Sequence, residues 1–415
     1  VPVGYSVTVA FVALGTLCAL APVRRPRPIA DVSYHLGLVV NELPFTAFLW
    51  LLIWTSVAFA QSDIATPGGW ATVGLAVVTA SGLAVVAWRG LRDRASVERA
   101  MAEGLGAGWR TAIDADLAAR PRRRAPLARI VLWPFVRRRR DVERVPNVRY
   151  GDAGRRNLLD VYRHRSRPTG APVLIHMHGG GYSRGRKNSQ SLPLLYRLAS
   201  HGWVCISANY RLRPDARHPE HLIDLKKVIA WVREHAHEYG ADPATLFVAG
   251  SSAGGHMAAL AALTQGDPGL QPGFEDADTS VTAAICLNTY YGAYYGQGPE
   301  SSPLSRIAAD APPFFLAHGD KDTLTPVAAA RQFADRLRLA SANPVVYAEL
   351  RGGHHAFDLF HSLRFEAVID GIEDFAAWVR LQRETTTRLQ EGSHRADGEP
   401  RAARTPEAGR TESGS

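Results

Sequence analysis

A doubly wound, mostly parallel α/β sheet preceded by an apolar helical region is the architecture this sequence predicts, on three observations. From Val145 to Val379 short strand-like runs alternate with helical stretches, and no segment repeats. Four of the strand-like runs lead straight into polar or glycine-rich loops, the place where open α/β sheets carry their chemistry. The first ninety residues hold three long runs without a charged side chain.

Those runs are Val1 to Val23, Leu43 to Ala60 (18 residues) and Gly68 to Trp88 (21 residues). Each approaches the ~20 residues a helix needs to cross ~30 Å of hydrocarbon, and none shows the polar face of a water-soluble helix. A cleaved signal peptide would open with basic residues, whereas here Arg24, Arg25 and Arg27 come after the first run. Three membrane helices are therefore expected over residues 1–90. The loop between the second and third runs holds Asp63 and no basic residue, while Arg89, Arg92 and Arg94 follow the third. Positive charge marks the cytoplasmic side, which puts the N-terminus outside and everything after Trp88 in the cytoplasm.

Residues 91–144 read as a basic, amphipathic connector. Arg120 to Arg124 and Arg137 to Arg140 bracket the apolar stretch Ala128 to Val136, which contains Trp133 and Phe135. Rings at headgroup depth flanked by arginines suit a membrane interface. Much of the net charge of +9 sits here, so the excess is assigned to the membrane and not to nucleic acid.

Residues 145–382 form the α/β domain. Asn157 to Tyr162 reads as an early strand, Leu222 to His237 as a crossover helix and Ala367 to Leu381 as the closing helix. The strand-like Leu246 to Ala249 leads into Gly250-Ser251-Ser252-Ala253-Gly254 and then the helix-forming His256 to Leu260. Strand, sharp turn and helix around Gly-x-Ser-x-Gly make a nucleophile elbow, which lifts the Ser252 hydroxyl off the sheet. Val173 to Met177 leads into His178-Gly179-Gly180-Gly181-Tyr182, whose bare N–H groups, with that of Ala253, can bind an oxyanion. Two more strand-like runs end in His318-Gly319-Asp320-Lys321-Asp322 and in Gly352-Gly353-His354-His355-Ala356-Phe357. Serine needs an imidazole to take its proton and a carboxylate to orient that imidazole. Asp320 and Asp322, and His354 and His355, compete for those two roles.

Cys18, Cys205 and Cys286 are scattered without ligand spacing, and Cys205 and Cys286 lie in apolar runs as core residues. No motif for a metal or a nucleotide occurs. From about Arg383 to Ser415 aromatic residues vanish and aliphatic ones thin out, so residues 383–415 are expected to be disordered.

Together HGGGY, GSSAGG, HGDKDTLTP and HHAF resemble the hormone-sensitive-lipase-like branch of the α/β-hydrolases, over roughly residues 145–382. Tyr210 to Pro214, His218-Pro219, Asp224 and Ala241-Asp242-Pro243 are similar to further stretches of that family. The resemblance implies the α/β-hydrolase fold and a serine carboxylesterase that needs no cofactor and acts on small-molecule or lipid esters. It maps the catalytic triad to Ser252, Asp322 and His355. The oxyanion hole falls on Gly180, Gly181 and Ala253, with Gly179 shaping the turn. Two departures bear on acyl-chain preference: Ser251 stands where many members carry Asp, and the stretch from Asn288 to Ala311 is short for a large lid. Tyr290, Tyr291, Tyr294 and Tyr295 either line the pocket or close the sheet edge. An acyltransferase using the same acyl-enzyme, and a non-catalytic scaffold, are the rival readings.

Overall fold

The computed structural model describes residues 3–62, 64–113 and 126–398. It opens with α1 (Val3–Leu20), α2 (Arg27–Glu42), α3 (Pro44–Ala60) and α4 (Pro67–Leu105). Leu43-Pro44 breaks α2 from α3 because proline lacks the N–H to continue a helix, and the two axes meet at 90°. Thr66 caps α4 by accepting a hydrogen bond from Gly69 N at 3.1 Å. α1 runs antiparallel to α3, with Tyr5 Oη 3.2 Å from Thr55 Oγ1. It runs parallel to α4, with Ser6 Oγ 3.0 Å from Thr72 Oγ1 and Thr16 seated against Gly82.

By length and composition α1 and α4 can cross a membrane, and the bent pair α2–α3 brings the total to as many as three. Two expectations change here. The arginine-bearing connection after the first run is mostly the helix α2. The second run forms the 17-residue α3, which is one arm of the bent pair with α2. Asp63 lies outside the described residues.

The connector also differs from its expectation. α4 continues past Trp88 to Leu105, and Val97, Ala100 and Met101, with Trp109 of the short α5 (Trp109–Ala112), pack into a core shared with the sheet. Apolar spacing inside an outwardly basic stretch is what docks it. Arg120 to Arg124 lie outside the described residues. In α6 (Leu127–Leu132) and just after it, Ile130 is buried, while Leu132, Trp133, Phe135 and Val136 are exposed.

Eight strands then form one sheet: β1 (Val142–Arg149), β2 (Leu158–His164), β3 (Ala171–Met177), β4 (Val204–Ala208), β5 (Ala241–Ser251), β6 (Ala283–Leu287), β7 (Phe314–Gly319) and β8 (Val345–Leu350). Their order is β1-β2-β4-β3-β5-β6-β7-β8. β2 pairs antiparallel with β1 and β4, and every other pairing is parallel. β3, β4, β6 and β7 are buried at every position, as a sheet covered on both faces requires.

Between the strands come α7 (Leu192–Ser200), α8 (Glu220–His235), α9 (Ala253–Leu263) and α10 (Val327–Ala340), and α11 (Leu363–Gly398) closes the chain. α8, α9 and α10 pack on one face with Val173, Ile175 and Val248. α7, α11 and the end of α4 pack on the other with Leu174, Phe247 and Phe315. Residues 383–398, expected to be disordered, continue α11. Thr385 and Thr386 bond back to the carbonyls of Leu381 and Gln382, and Arg380, Glu384 and Arg388 follow one another at helical i,i+4 spacing.

Candidate active site

Every motif loop leaves the C-terminal end of a parallel strand, so the parallel pairing of β3, β5, β7 and β8 gathers them at one edge of the sheet. At the end of β5 the chain turns within one residue into α9. Ser252 makes that turn at φ 55°, ψ −117°, a conformation costing a non-glycine residue about 1–3 kcal/mol. Its N–H, donated to Leu287 O at 2.9 Å, helps hold it there. The flanking glycines allow the close approach: a Cβ on Gly254 would lie 2.0 Å from Met177 O. The Ser252 side chain is half-exposed and makes no hydrogen bond among the described residues.

After β3, Gly180 and Gly181 take φ 120° and 59°. At Gly180 a Cβ would also meet Arg184 O at 2.1 Å, so only glycine fits. The N–H groups of Gly180, Gly181 and Ala253 make no hydrogen bond among the described residues. Gly179 is different: its N–H donates to Gln190 Oε1 at 2.7 Å. That proton is already held, which leaves Gly179 a part in the turn rather than in binding an oxyanion. Burial pushes His178 down to about 4 and keeps it neutral. Its carbonyl accepts from Tyr210 Oη at 3.0 Å, tying the loop to β4's exit.

The paired residues separate. His355 Nδ1 donates to Asp322 Oδ2 at 2.7 Å. Leu324 N and Thr325 N also donate to Asp322 Oδ1 at 2.9 and 2.8 Å, and Thr325 Oγ1 donates to Oδ2 at 2.8 Å. Burial works against both charges, yet the pairing outweighs it: His355 is raised and Asp322 lowered from their ordinary values. Asp320 instead accepts from Gly352 N at 2.7 Å, bracing two loops. His354 turns away and donates from Nε2 to Ala19 O of α1 at 3.0 Å.

The N-terminal helices reach this site, which the sequence reading missed. Tyr34 of α2 is buried with its ring edge-on to His355, centroids 6.3 Å apart. The fully buried Arg364 donates to Asp93 of α4 at 2.8 Å and to Glu42 of α2. Ser362 Oγ reaches Glu42 at 2.7 Å, and Arg351 N reaches Asp93 at 2.9 Å. The four tyrosines divide: Tyr291 stacks on Phe333 in the core and Tyr294 is buried, while Tyr290 and Tyr295 remain exposed. Tyr295 lies beside Gly181, with Arg213 over its ring at 4.8 Å. Asp358, Gln190 and Ser191 form a buried polar group behind the elbow. Asp358 follows Phe357 in the HHAF loop, but nothing local marked it as a site residue.

Residues 159–294 match the BD-FAE family model. The probable carboxylic ester hydrolase LipM of Mycobacterium tuberculosis is 37% identical over 414 residues, covering 91% of this chain and 93% of that protein. The esterase LipC of the same organism is 39% identical over 279 residues, covering 60% and 68%. Among solved structures, the butyrate-bound esterase 2 of Thermogutta terrifontis is similar at 25% identity and a TM-score of 0.50, covering 57% of this chain and 93% of that one. With an elbow serine, a glycine-rich loop and a buried Asp–His pair on this sheet, the chain belongs to the hormone-sensitive-lipase-like α/β-hydrolase esterases and is a carboxylic ester hydrolase.

Proposed function

We propose that the protein is a membrane-anchored serine carboxylesterase whose triad is Ser252, His355 and Asp322. The observation that carries the assignment is the buried Asp322–His355 hydrogen bond at the edge of the sheet where the elbow presents Ser252. Ser252 Oγ attacks the ester carbonyl carbon while its proton passes to His355 Nε2. The negative oxygen of the tetrahedral intermediate takes hydrogen bonds from Gly180, Gly181 and Ala253. Collapse breaks the bond to the alkoxy group, which leaves as the alcohol with the proton from His355. Water, deprotonated by the same nitrogen, then attacks the acyl-Ser252 ester, and the acid departs as the serine recovers its proton.

Membrane anchoring is supported by the exterior of the bundle. Val3, Val7, Phe11, Leu14 and Leu17 recur every three or four residues along α1 and all face outward, as do Trp50 and Ile53 of α3 and Val77 and Val78 of α4. A water-soluble bundle would bury such a surface. Arg24, Arg25 and Arg27 follow the end of α1 that contacts His354, and Arg89 lies against Gly352. Both arginine groups thus lie at the hydrolase end of the bundle, which favours a cytoplasmic hydrolase in a multi-pass protein.

One observation favours a lipid-directed reading. α2 sets Tyr34 against His355 while Ile29, Val32 and Val39 of the same helix are exposed, so apolar surface adjoins the catalytic groups. The test is a panel of p-nitrophenyl and glycerol esters of graded chain length, presented in vesicles to the full-length protein and to Ser252→Ala. The native chain should hydrolyse them, with long acyl chains preferred, and Ser252→Ala should retain its fold but no activity above background. A Ser252→Ala protein that stays active sinks the triad. Equal rates on all chain lengths sink the lipid preference alone. Added alcohol acceptors that divert the product from acid to new ester would make it an acyltransferase.

A further inference from the structure

Behind the elbow lies a carboxylate that the triad does not use. Asp358 is fully buried in the turn Phe357–Leu359, three residues past His355. Its Oδ2 accepts from Ser251 Oγ at 2.6 Å and from Ser191 Oγ. Its Oδ1 accepts from Gln190 Nε2 at 3.1 Å and, more weakly, from Asn288 Nδ2 at 3.5 Å. Ser191 N also donates to the Asp358 carbonyl at 3.2 Å. Among the described residues no basic side chain forms an ion pair with Asp358. An unpaired carboxylate taken out of water is costly, and hydrogen bonds alone hold this one.

Asp358 and its partners join three different motif loops. Ser251 is the elbow residue directly before the nucleophile. Gln190 passes the connection on, because its Oε1 receives the N–H of Gly179 at 2.7 Å. Asp358 itself sits on the histidine loop. A carboxylate thus holds the residue before the nucleophile from a position 107 residues later in the chain.

We propose that Asp358 is the positioning residue that locks the elbow, the oxyanion loop and the histidine loop into one geometry. The inference rests on the triad proposed above. Releasing Ser251 and Gln190 lets the nucleophile and Gly180–Gly181 drift relative to each other, and a misplacement of 1 Å can cost about 100-fold in rate. Asp358 also faces His355 as a negative charge that favours the imidazolium. The other groups facing His355 are Asp322 and Thr325 from the loop after β7, His318 at the end of β7 and Tyr34 from α2; the neighbouring His354 turns away to Ala19.

The experiment compares Asp358→Asn, Gln190→Leu and the exchange Ser251→Asp with Asp358→Ser in the full chain, using a soluble short-chain nitrophenyl ester. Asp358→Asn should lower kcat by about 100-fold with KM nearly unchanged. It should also move the acid limb of kcat/KM to lower pH, because a negative charge facing His355 is gone. Gln190→Leu should lower kcat by about tenfold without moving that limb, since it breaks the connection from Asp358 to Gly179 but leaves the Asp358 carboxylate in place. The exchange should recover most of the lost kcat. Native kcat in both single variants overturns the proposal. So does a reduced kcat with an unmoved acid limb in Asp358→Asn and no recovery in the exchange, which would make Asp358 a packing residue. If Asp358→Asn does not fold, Gln190→Leu and the exchange decide: unchanged kcat in the first with an inactive exchange rejects the idea. Ser252→Ala run beside them separates the two levels, because an active Ser252→Ala removes the triad, whereas an inactive one with unaffected Asp358 variants removes only this inference.

Discussion

Phe315, Phe333 and Phe375 of the hydrolase domain have no exposed surface, whereas Phe11, Phe48 and Phe59 of the N-terminal bundle are 62%, 43% and 47% exposed. The first set packs between sheet and helices. The second points away from a bundle whose interior is held by Val9, Leu51 and Leu83 and by hydroxyl contacts such as Tyr5 to Thr55. One chain therefore contains a part ordered by exclusion from water and a part whose exterior is suited to hydrocarbon. At their junction, polar groups cut off from water need partners within the protein. The junction is the histidine loop. Arg364 is neutralised there by Glu42 and Asp93, and adjacent histidines divide the work: His355 pairs with Asp322 of the hydrolase, and His354 binds Ala19 of the bundle.

The sharpest way to break that comparison is to remove one histidine at a time. His355→Ala should lower kcat by about 10⁴-fold or more, as loss of a triad base does. His354→Ala should change kcat less than tenfold and instead lower stability by roughly 1–3 kcal/mol through the orphaned Ala19 carbonyl. Asp322→Asn should likewise far exceed Asp320→Asn. Equal losses within either pair, measured as kcat and as thermal midpoint, would undo the division. The pH profile adds a sign. Catalysis needs neutral His355, whose pKa is raised by the Asp322 pairing despite burial, so kcat/KM should fall as pH drops through a value above the ordinary 6.5 of histidine. Asp322, lowered, stays ionised throughout that range.

A smaller effect tests the two exteriors directly. Phe375→Ala leaves a cavity in a packed core and should cost about 3–5 kcal/mol, read by thermal unfolding in detergent. Phe11→Ala removes a ring that touches little protein and should change stability by less than about 0.5 kcal/mol. A large loss at Phe11 would mean that its face is covered by protein, such as a second copy, and not by lipid.

What the sequence made legible was local. Each motif loop carries its own chemistry within about ten residues of a strand, so the elbow, the glycine loop and the two competing pairs could be located before any contact was known. What it hid was long-range. Glu42 meets Arg364 across 322 positions and Ser251 meets Asp358 across 107, and no periodicity encodes such pairs. The charge count misdirected the reading of residues 97–113, because Val97, Ala100, Met101 and Trp109 are apolar at helical spacing inside a basic stretch. Nothing in the glycine run announces that the Gly179 N–H is taken by Gln190, a side chain eleven residues on. The closing helix outran its apolar pattern because exposed turns need only helix-forming residues and i,i+4 charge pairs once a buried segment has nucleated them.

The smallest effect concerns the strip between the two regions. Leu132, Trp133, Phe135 and Val136 are exposed while Ile130 is buried, and Phe135 also meets Phe360 edge-on at 5.6 Å. Rings that rest on both a lipid surface and the hydrolase should be more protected in a bilayer than in detergent. Hydrogen exchange over residues 127–136 should therefore slow in anionic nanodiscs, and high salt should weaken that slowing because each nearby arginine contributes about 1 kcal/mol to the attraction. Replacing Trp133 and Phe135 by Ala together should abolish the slowing. In detergent the same double variant should lose only about 1 kcal/mol, the worth of one aromatic edge contact. Identical exchange in bilayer and detergent would detach this strip from the membrane and make it a solvated strap across the hydrolase, leaving the bundle alone to account for anchoring.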